Sequence, residues 1–574
     1  VNECLFVLAV ALGNAGENDE ALEVSQRALA SYRSVYGDEY AQTANALAVV
    51  GELQIRSGQR DDALVSLRGS FETSARLNGR PKTADGLALG MALWSGSSGD
   101  IDEARKIVGD QVVIANDEVL ELAPWLSERE QLALVRNGRR VLDLYLSLFE
   151  ADSDAVDAYN WMLEWKGRVQ HTLANTAASD DGAQDEAVRI ELHSVRKQIA
   201  TKTWDVGDPE GRTNALAELS ARKDALERQL ASGEVLAAVR FAELCRDMPA
   251  DAALVDFLRY QRHERSLDGD LQTVYAYLAF VVTDDCAAPV RVELGDAEAI
   301  DELVGRYRGF LANPDASDAR LVRAGDDLRK AVIDPLLAAL GHRDTLILSP
   351  DGPLSALSFA ALPMADGRWF LERYRMRYVD AAVELVRELP AVGRGAVLVG
   401  GVSYGGAAST LRPGSPCSPL DYADLPGTVG EIVSIEALYR KRFKREVIQR
   451  LSEGDATESA VVAAMPGRRL IHLATHGFFA SEDCQSALGS DQAGDIVGFN
   501  PMALSGIIVA PAADSDAVLT AEELASVDLR GVELVVLSAC ETGLGTVRSG
   551  EGVLGLRRGF SMAGAQTLIM SLWT

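Results

Sequence analysis

Leu470-Ile-His-Leu-Ala-Thr-His476-Gly477 is an apolar, β-branched run that stops at an imidazole, and Val535-Val-Leu-Ser-Ala-Cys540-Glu-Thr-Gly543 is a second that stops at a thiol. Runs apolar at every position read as strands covered on both faces, the signature of a parallel sheet. Such sheets build their sites at the carboxyl ends of the strands. Two adjacent strands ending on His476 and Cys540 therefore predict a cysteine–histidine dyad. The imidazole accepts the thiol proton, and the thiolate is the nucleophile that an unassisted cysteine is not. That chemistry is proteolytic.

Working outward, the periodicity is strand-like from about Ala253. Leu254-Val-Asp-Phe-Leu258, Val274 to Val282 and Val290 to Leu294 read as a small antiparallel set. Short apolar runs then alternate with helical stretches: Thr345 to Leu348, Ala396 to Val399, Leu470 to Leu473, Ser505 to Val509, Leu534 to Leu537 and Thr567 to Met570. The expectation is one mostly parallel sheet containing all six.

The amino-terminal part is helical and repetitive. Gly16-Glu-Asn-Asp-Glu-Ala21, Gly58-Gln-Arg-Asp-Asp-Ala63 and Gly99-Asp-Ile-Asp-Glu-Ala104 recur at spacings of 42 and 41 residues. Each Gly is expected at the turn of a helical hairpin, with acidic residues at the next helix's positive end and Ala at the close approach. The pattern resembles a tetratricopeptide array of the longer-period kind. Gly51 matches that family's close-packing position, with Ala9 and Ala92 in its place in the other units. Such arrays offer a concave surface to a protein segment. From about 114 to 250 the pattern stays helical. Val188, Leu192, Val195 and Ile199 form one stripe and Leu216, Leu219, Leu226 and Leu230 another, an antiparallel hairpin turning through Trp204 to Gly211. Trp161, Trp165 and Trp204 are expected as core anchors, and Asn175 to Ala183 as an exposed loop open to nicking.

Length and composition bound the rest. A chain of 574 residues divides into roughly three or four domains, placed at 1–113 (repeats), 114–250 (helical linker with the hairpin) and 251–574 (the α/β part). The net charge of −29 disfavours nucleic acid, which must be met by cations, and no basic patch stands out. Six scattered cysteines argue against a disulfide framework and for a reducing, cytoplasmic compartment. Cys4 to Leu12 has the apolar character of a signal-peptide core, but it lacks a charged leader and fits the repeat. No run reaches the ~18 apolar residues of a membrane helix, so no membrane association is expected. A start at Val1 and a stop inside a strand at Ser571-Leu-Trp-Thr574 read as cuts.

Ser349-Pro-Asp-Gly-Pro-Leu354, Leu425-Pro-Gly-Thr428 with Glu431, Leu473-Ala-Thr-His-Gly477, Leu537-Ser-Ala-Cys-Glu-Thr-Gly543, and Gly550-Glu-Gly552 with Arg557 and Gly559 together resemble the CHAT domain, a caspase-like bacterial peptidase family often joined to tetratricopeptide repeats. The resemblance covers about residues 320–574. It implies a multidomain fold, an all-α repeat and helical region followed by an α/β caspase-like domain with a mostly parallel sheet. The activity implied is that of a cysteine endopeptidase of the caspase and separase clan, with Cys540 as nucleophile and His476 as general acid/base. The Gly477 N–H, and that of Cys540 itself, would hold the oxyanion. Glycine suits this because the substrate carbonyl must approach the main chain closely. The resemblance further implies no metal or organic cofactor, a protein or peptide substrate, a regulatory protein held by the repeats, and a setting of bacterial defence or programmed cell death. Where many relatives carry His and Pro, this chain has Ser355-Ala-Leu-Ser358.

A cleft at these strand ends needs residues to line it. Asp351 and Glu541 are candidates to line it, although a Pro-Asp-Gly turn is reason enough for Asp351. His472 is expected packed and hydrogen-bonded, and Cys484 on the surface. A zinc set of His472, His476, Cys484 and Cys540 is disfavoured because a strand separates the two imidazoles by roughly 13 Å. Gly401-Val-Ser-Tyr-Gly-Gly406 lacks the lysine of a phosphate loop. The alternative function is a repeat scaffold whose caspase-like fold binds partners without cutting.

Overall fold

A computed structural model of the chain describes residues 2–150, 152–169, 172–173, 182–203, 209–231, 239–265, 271–313, 315–386, 389–405, 422–479, 501–512, 517–539, 545–548 and 552–572. Helices α1 (Asn2–Asn14), α2 (Asn18–Tyr36), α3 (Ala41–Arg56), α4 (Arg60–Asn78), α5 (Thr83–Trp94) and α6 (Ser98–Leu122) form successive hairpins. Gly16 and Gly58 turn the first two hairpins at φ +85° and +73°, a region glycine enters without steric penalty. Ala21, Ala63 and Ala104 are completely buried. A β-carbon at Gly51 would stand 2.6 Å from Leu67 Cγ, so close helix contact explains that glycine. The third unit departs from the expected pattern. Gly99 lies in the first turn of α6, and the turn is instead made before it, where Asp100 accepts from the Ser97 N–H and hydroxyl.

The helical linker is more than a spacer. Helices α7 (Glu128–Leu148) and α8 (Ala155–Trp165) cover one face of a sheet built from β1 (Ala252–Arg265), β2 (Leu271–Thr283), β3 (Val290–Asp296), β4 (Thr345–Ser349) and β5 (Arg375–Tyr378). Strand parity divides the work. Leu254, Leu258 and Tyr260 face the α7 and α8 layer, whereas Val255 and Phe257 face the helices Ala297–Leu311 and Asp318–Val332. Trp165 is buried in the first of these layers; Trp204 and the greater part of the Asn175 to Ala183 loop lie outside the described residues. The Gly182–Thr203 and Pro209–Leu230 helices pack through the expected stripes.

The strand order of the first sheet is β3-β2-β1-β4-β5, antiparallel among β1 to β3 and parallel from β1 through β4 to β5. Thr345 to Leu348 thus belongs here and not to the main sheet. Its run is apolar because it sits inside a two-sided sheet, a property that does not say which sheet.

The main sheet contains β6 (Ala396–Val402), β7 (Ile448–Glu453), β8 (Leu470–Ala474), β12 (Leu534–Ser538) and β15 (Leu568–Met570), ordered β15-β12-β8-β6-β7 and parallel throughout. The sequence reading missed β7, an edge strand with mixed polarity. Ser505 to Val509 is a second correction. It supplies β10 (Ser505–Ile508), which pairs antiparallel with β9 (Gly477–Phe479) and β11 (Val518–Thr520) in a separate small sheet. A further hairpin joins β13 (Gly545–Arg548) to β14 (Gly552–Gly555).

Two ties hold these layers together. Lys166, just after α8, donates from Nζ to Asp256 Oδ1 at 2.6 Å and to Phe257 O, Ser349 O and Ser349 Oγ at 2.7 to 2.8 Å. The second tie is a neutral set of six buried charges. Lys223 reaches Glu128, Glu522 and Glu227 at 3.1, 3.0 and 3.5 Å; Arg196 reaches Glu227 and Glu522 at 3.1 and 3.2 Å; Arg558 reaches Glu128 at 3.3 Å. Burial raises Glu128, but Lys223, Arg558 and Arg196 outweigh it and hold the group down at about 2. Because Glu522 and Arg558 belong to helices flanking the Cys540 segment, the cluster bolts the helical hairpin to the main sheet.

Cys245 and Cys286, 41 residues apart, form a disulfide, a pairing that the scattered spacing did not signal. It ties the Phe241–Arg246 helix to the turn after β2 and removes the cysteine argument for a reducing compartment. Among the described residues no helix is long and apolar enough to cross a membrane.

Candidate active site

Numbered within the main sheet, the strand order is 2-1-3-4-5, so the chain reverses direction of winding between β6 and β8. A crevice forms outside the carboxyl ends at such a switch point. His476 stands there, two residues beyond β8, and the neighbouring β12 ends at Ser538 opposite Ala474. Ala539 is the last described residue before Cys540. Cys540 and Glu541 both lie outside the described residues, as does Cys484.

The His476 ring is half-buried and closely held. Tyr404 and Tyr422 lie against it with ring centroids 5.0 and 4.8 Å away. Its Nε2 is 2.8 Å from the Ala423 carbonyl. A carbonyl only accepts, so Nε2 carries the proton and Nδ1 of the neutral ring is the acceptor. Burial raises the Tyr404 phenol and pushes that of Tyr422 up to about 12, leaving two neutral rings against the imidazole. The Tyr404 hydroxyl meets Thr475 Oγ1 at 2.9 Å, and Thr475 in turn donates to Ile508 O.

Gly477 opens β9, at the edge of the small sheet. Ile508 N–H donates to His476 O at 2.8 Å, so His476 and Ile508 form a hydrogen-bonded pair and the next pair, Gly477 with Ile507, is of the other kind. In a non-hydrogen-bonded pair the main-chain groups point away from the partner strand. The Gly477 N–H is therefore directed away from β10, on the outer side of an edge strand.

The remaining candidates sit elsewhere. Asp351 is fully buried in the first sheet's loop, where Oδ2 accepts from the Arg259 N–H at 2.9 Å. It anchors the turn, although the following segment Gly352–Ala356 packs on β13. Glu431 accounts for His472, whose Nε2 it meets at 2.8 Å, and Thr428 Oγ1 takes the Gly401 N–H at 2.8 Å. His472 and His476 thus spend their Nε2 atoms on different partners, Glu431 and the Ala423 carbonyl. Tyr404, Tyr422 and Ala423 were not singled out in the sequence. The glycine-rich stretch before Tyr404 was the available signal, and it serves to swing the chain off β6 at Gly401, φ +65°, toward the imidazole.

Arg557, from the last motif, pairs with Asp380 beyond β5 and so joins the two sheets. Burial, with Asp380 alongside, pushes Glu384 up to about 7, against the opposing pull of Arg557 and the Ala381 and Asp380 N–H groups. The folded state therefore binds this proton more tightly than the unfolded chain, whose carboxyl titrates near 4.5. Stability from this group is greatest below that value and falls as pH rises to about 7. Urea midpoints measured across that window should decline in the wild type and flatten in Glu384→Gln.

A CHAT domain model matches residues 322–574, and a tetratricopeptide repeat model matches residues 3–72. A search of curated proteins finds no match. Among solved structures, a chain of the Saccharomyces cerevisiae separase–securin complex aligns with all of this chain at 8% identity and a TM-score of 0.28. The chain spans about half, 53%, of that chain's length. The protein carries a CHAT domain over residues 322–574, behind tetratricopeptide repeats over residues 3–72.

Proposed function

We propose that the protein is a cysteine endopeptidase in which Cys540 and His476 form the dyad. The observation that carries this reading is the fixed tautomer of His476. The Ala423 carbonyl takes Nε2–H, which leaves Nδ1 to receive the thiol proton, one strand away from the segment that leads into Cys540. Cys540 thiolate attacks a peptide carbonyl. The N–H groups of Gly477 and Cys540 take the oxyanion, and Nδ1 returns its proton to the leaving amine. Water then resolves the thioester, with His476 as base. The edge position of Gly477 supports its share in this step. Asp351 acts on the cleft only through the segment that follows it. The repeats bind a regulatory protein, and the six-charge cluster ties the helical hairpin to the helices Ala521–Leu524 and Leu556–Met562.

The test compares the wild type with Cys540→Ala on a diverse peptide library, together with iodoacetamide labelling across pH. Cleavage present in the first and lost in the second is expected, as is labelling at Cys540 well below pH 8, beneath the usual thiol range. Absence of cleavage combined with slow, equal labelling of all free cysteines would instead leave a scaffold with a caspase-like fold.

A further inference from the structure

Arg440-Lys-Arg-Phe-Lys-Arg445 places five cations in six residues of a chain whose net charge is −29. The sequence reading, which saw no basic patch, passed over it because the whole-chain charge hides a local run. The run closes the helix Gly427–Arg442 and forms the turn into β7. The inner cations are already neutralised, since Arg440 pairs with Glu436, and Arg469 bridges Glu446 and Glu533. The outer four, Lys441, Arg442, Lys444 and Arg445, are exposed. None of them makes an ion pair among the described residues. Exposed Arg394 joins them, because the Gly395 N–H bonds Glu446 and the Ala396 N–H bonds the Val447 carbonyl. Aliphatic side chains lie among these cations: Leu438 and Val447 are each 67% exposed.

This surface lies at the amino ends of β6 and β8, opposite His476. The Gly427–Arg442 helix separates the two ends by ~24 Å, at ~1.5 Å per residue. Cations left unpaired around exposed aliphatic groups mark a surface that takes both carboxylates and apolar side chains.

We infer that it docks an acidic segment of a protein partner, one in which aliphatic residues are spaced among the carboxylates. A nucleic acid fits less well. Leucine and valine give no stacking platform for bases, and the chain's net charge of −29 repels a polyanion. The inference is independent of peptidase activity, because occupancy is read without cleavage.

The test is fluorescence anisotropy of a labelled (Glu-Glu-Leu)4 peptide with the full chain, at about 50 mM and about 300 mM salt. A variant with Lys441, Arg442, Lys444 and Arg445 all changed to alanine should bind at least about tenfold more weakly, and higher salt should weaken the wild type. A control variant with alanine at Lys106, Arg320, Arg323 and Lys330 should match the wild type. Circular dichroism would check that both variants fold. No binding by the wild type, or equal loss in both variants, would overturn the assignment. So would tighter binding of a single-stranded oligonucleotide that the patch variant loses.

Discussion

Replacing His476 with alanine is expected to lower kcat/KM of the proposed peptidase by about 10³-fold or more, a loss of roughly 4 kcal/mol of transition-state stabilisation. The Ala423 carbonyl holds Nε2–H of His476, which leaves Nδ1 as the acceptor in the proposed dyad. Without it the thiol stays protonated, and the leaving amine departs unassisted. The ring is half-buried and its neighbours are two tyrosines, so the thermal midpoint should barely move. That separates a chemical loss from an unfolding one. The double variant with Cys540→Ala should be no slower than either single variant, because members of one catalytic unit are not additive. Progress curves on a cleaved peptide decide the matter. A His476→Ala enzyme within tenfold of the wild type would sink the dyad.

The elements legible in the sequence are those whose signal is local. β8 and β12 are apolar at nearly every position because both faces are covered, and a run of that kind announces itself. Their side-by-side pairing, and the placement of His476 at a strand end, followed from the same reasoning. What escaped depends on partners distant in the chain. Thr345 to Ser349 pairs with β1, and nothing within five apolar residues distinguishes that neighbour from β6. The edge strand β7 carries Arg450 and Glu453 toward solvent and so breaks the apolar pattern. Cys245 and Cys286 meet because β1 and β2 form a long antiparallel pair that returns the chain to its starting level. Tyr404 and Tyr422 flank His476 from the two ends of the stretch between β6 and the Gly427–Arg442 helix, and aromatic residues outside helices and strands carry no periodicity to read.

The polar interior makes a related point. Asp351, a sequence candidate for the cleft, is held by Arg259, and Arg557, a motif residue, is held by Asp380. Asp351 thereby fixes the loop after β4 to the neighbouring strand β1 of the same sheet, and Arg557 ties one sheet to the other. The motifs of this domain therefore include charged residues that hold strands and sheets in place. The geometry sets them apart from His476, which is half-buried beyond a strand end, whereas Asp351 has no exposed surface.

The largest structural effect is expected from Lys166→Met. The ammonium is 3% exposed and Asp256 is 1% exposed, so the lysine neutralises a carboxylate that has no access to water. Methionine fills much of the same volume but leaves Asp256 with the Tyr159 hydroxyl at 3.3 Å and the charge uncompensated. Two acceptors on Ser349 and the Phe257 carbonyl also lose their donor. Breaking a buried pair in this way costs about 3–5 kcal/mol. The loss falls where α8, β1 and β4 meet, so tryptophan fluorescence, with Trp165 adjacent, should report it as a lower urea midpoint. The double variant Lys166→Met/Asp256→Leu removes both charges and should recover much of the loss, since an apolar pair of similar volume often replaces a buried ion pair at little cost. A single variant as stable as the wild type would mean that the buried pair contributes nothing to stability; a double variant no better than the single one would assign the loss to the Ser349 and Phe257 acceptors instead of to the charge.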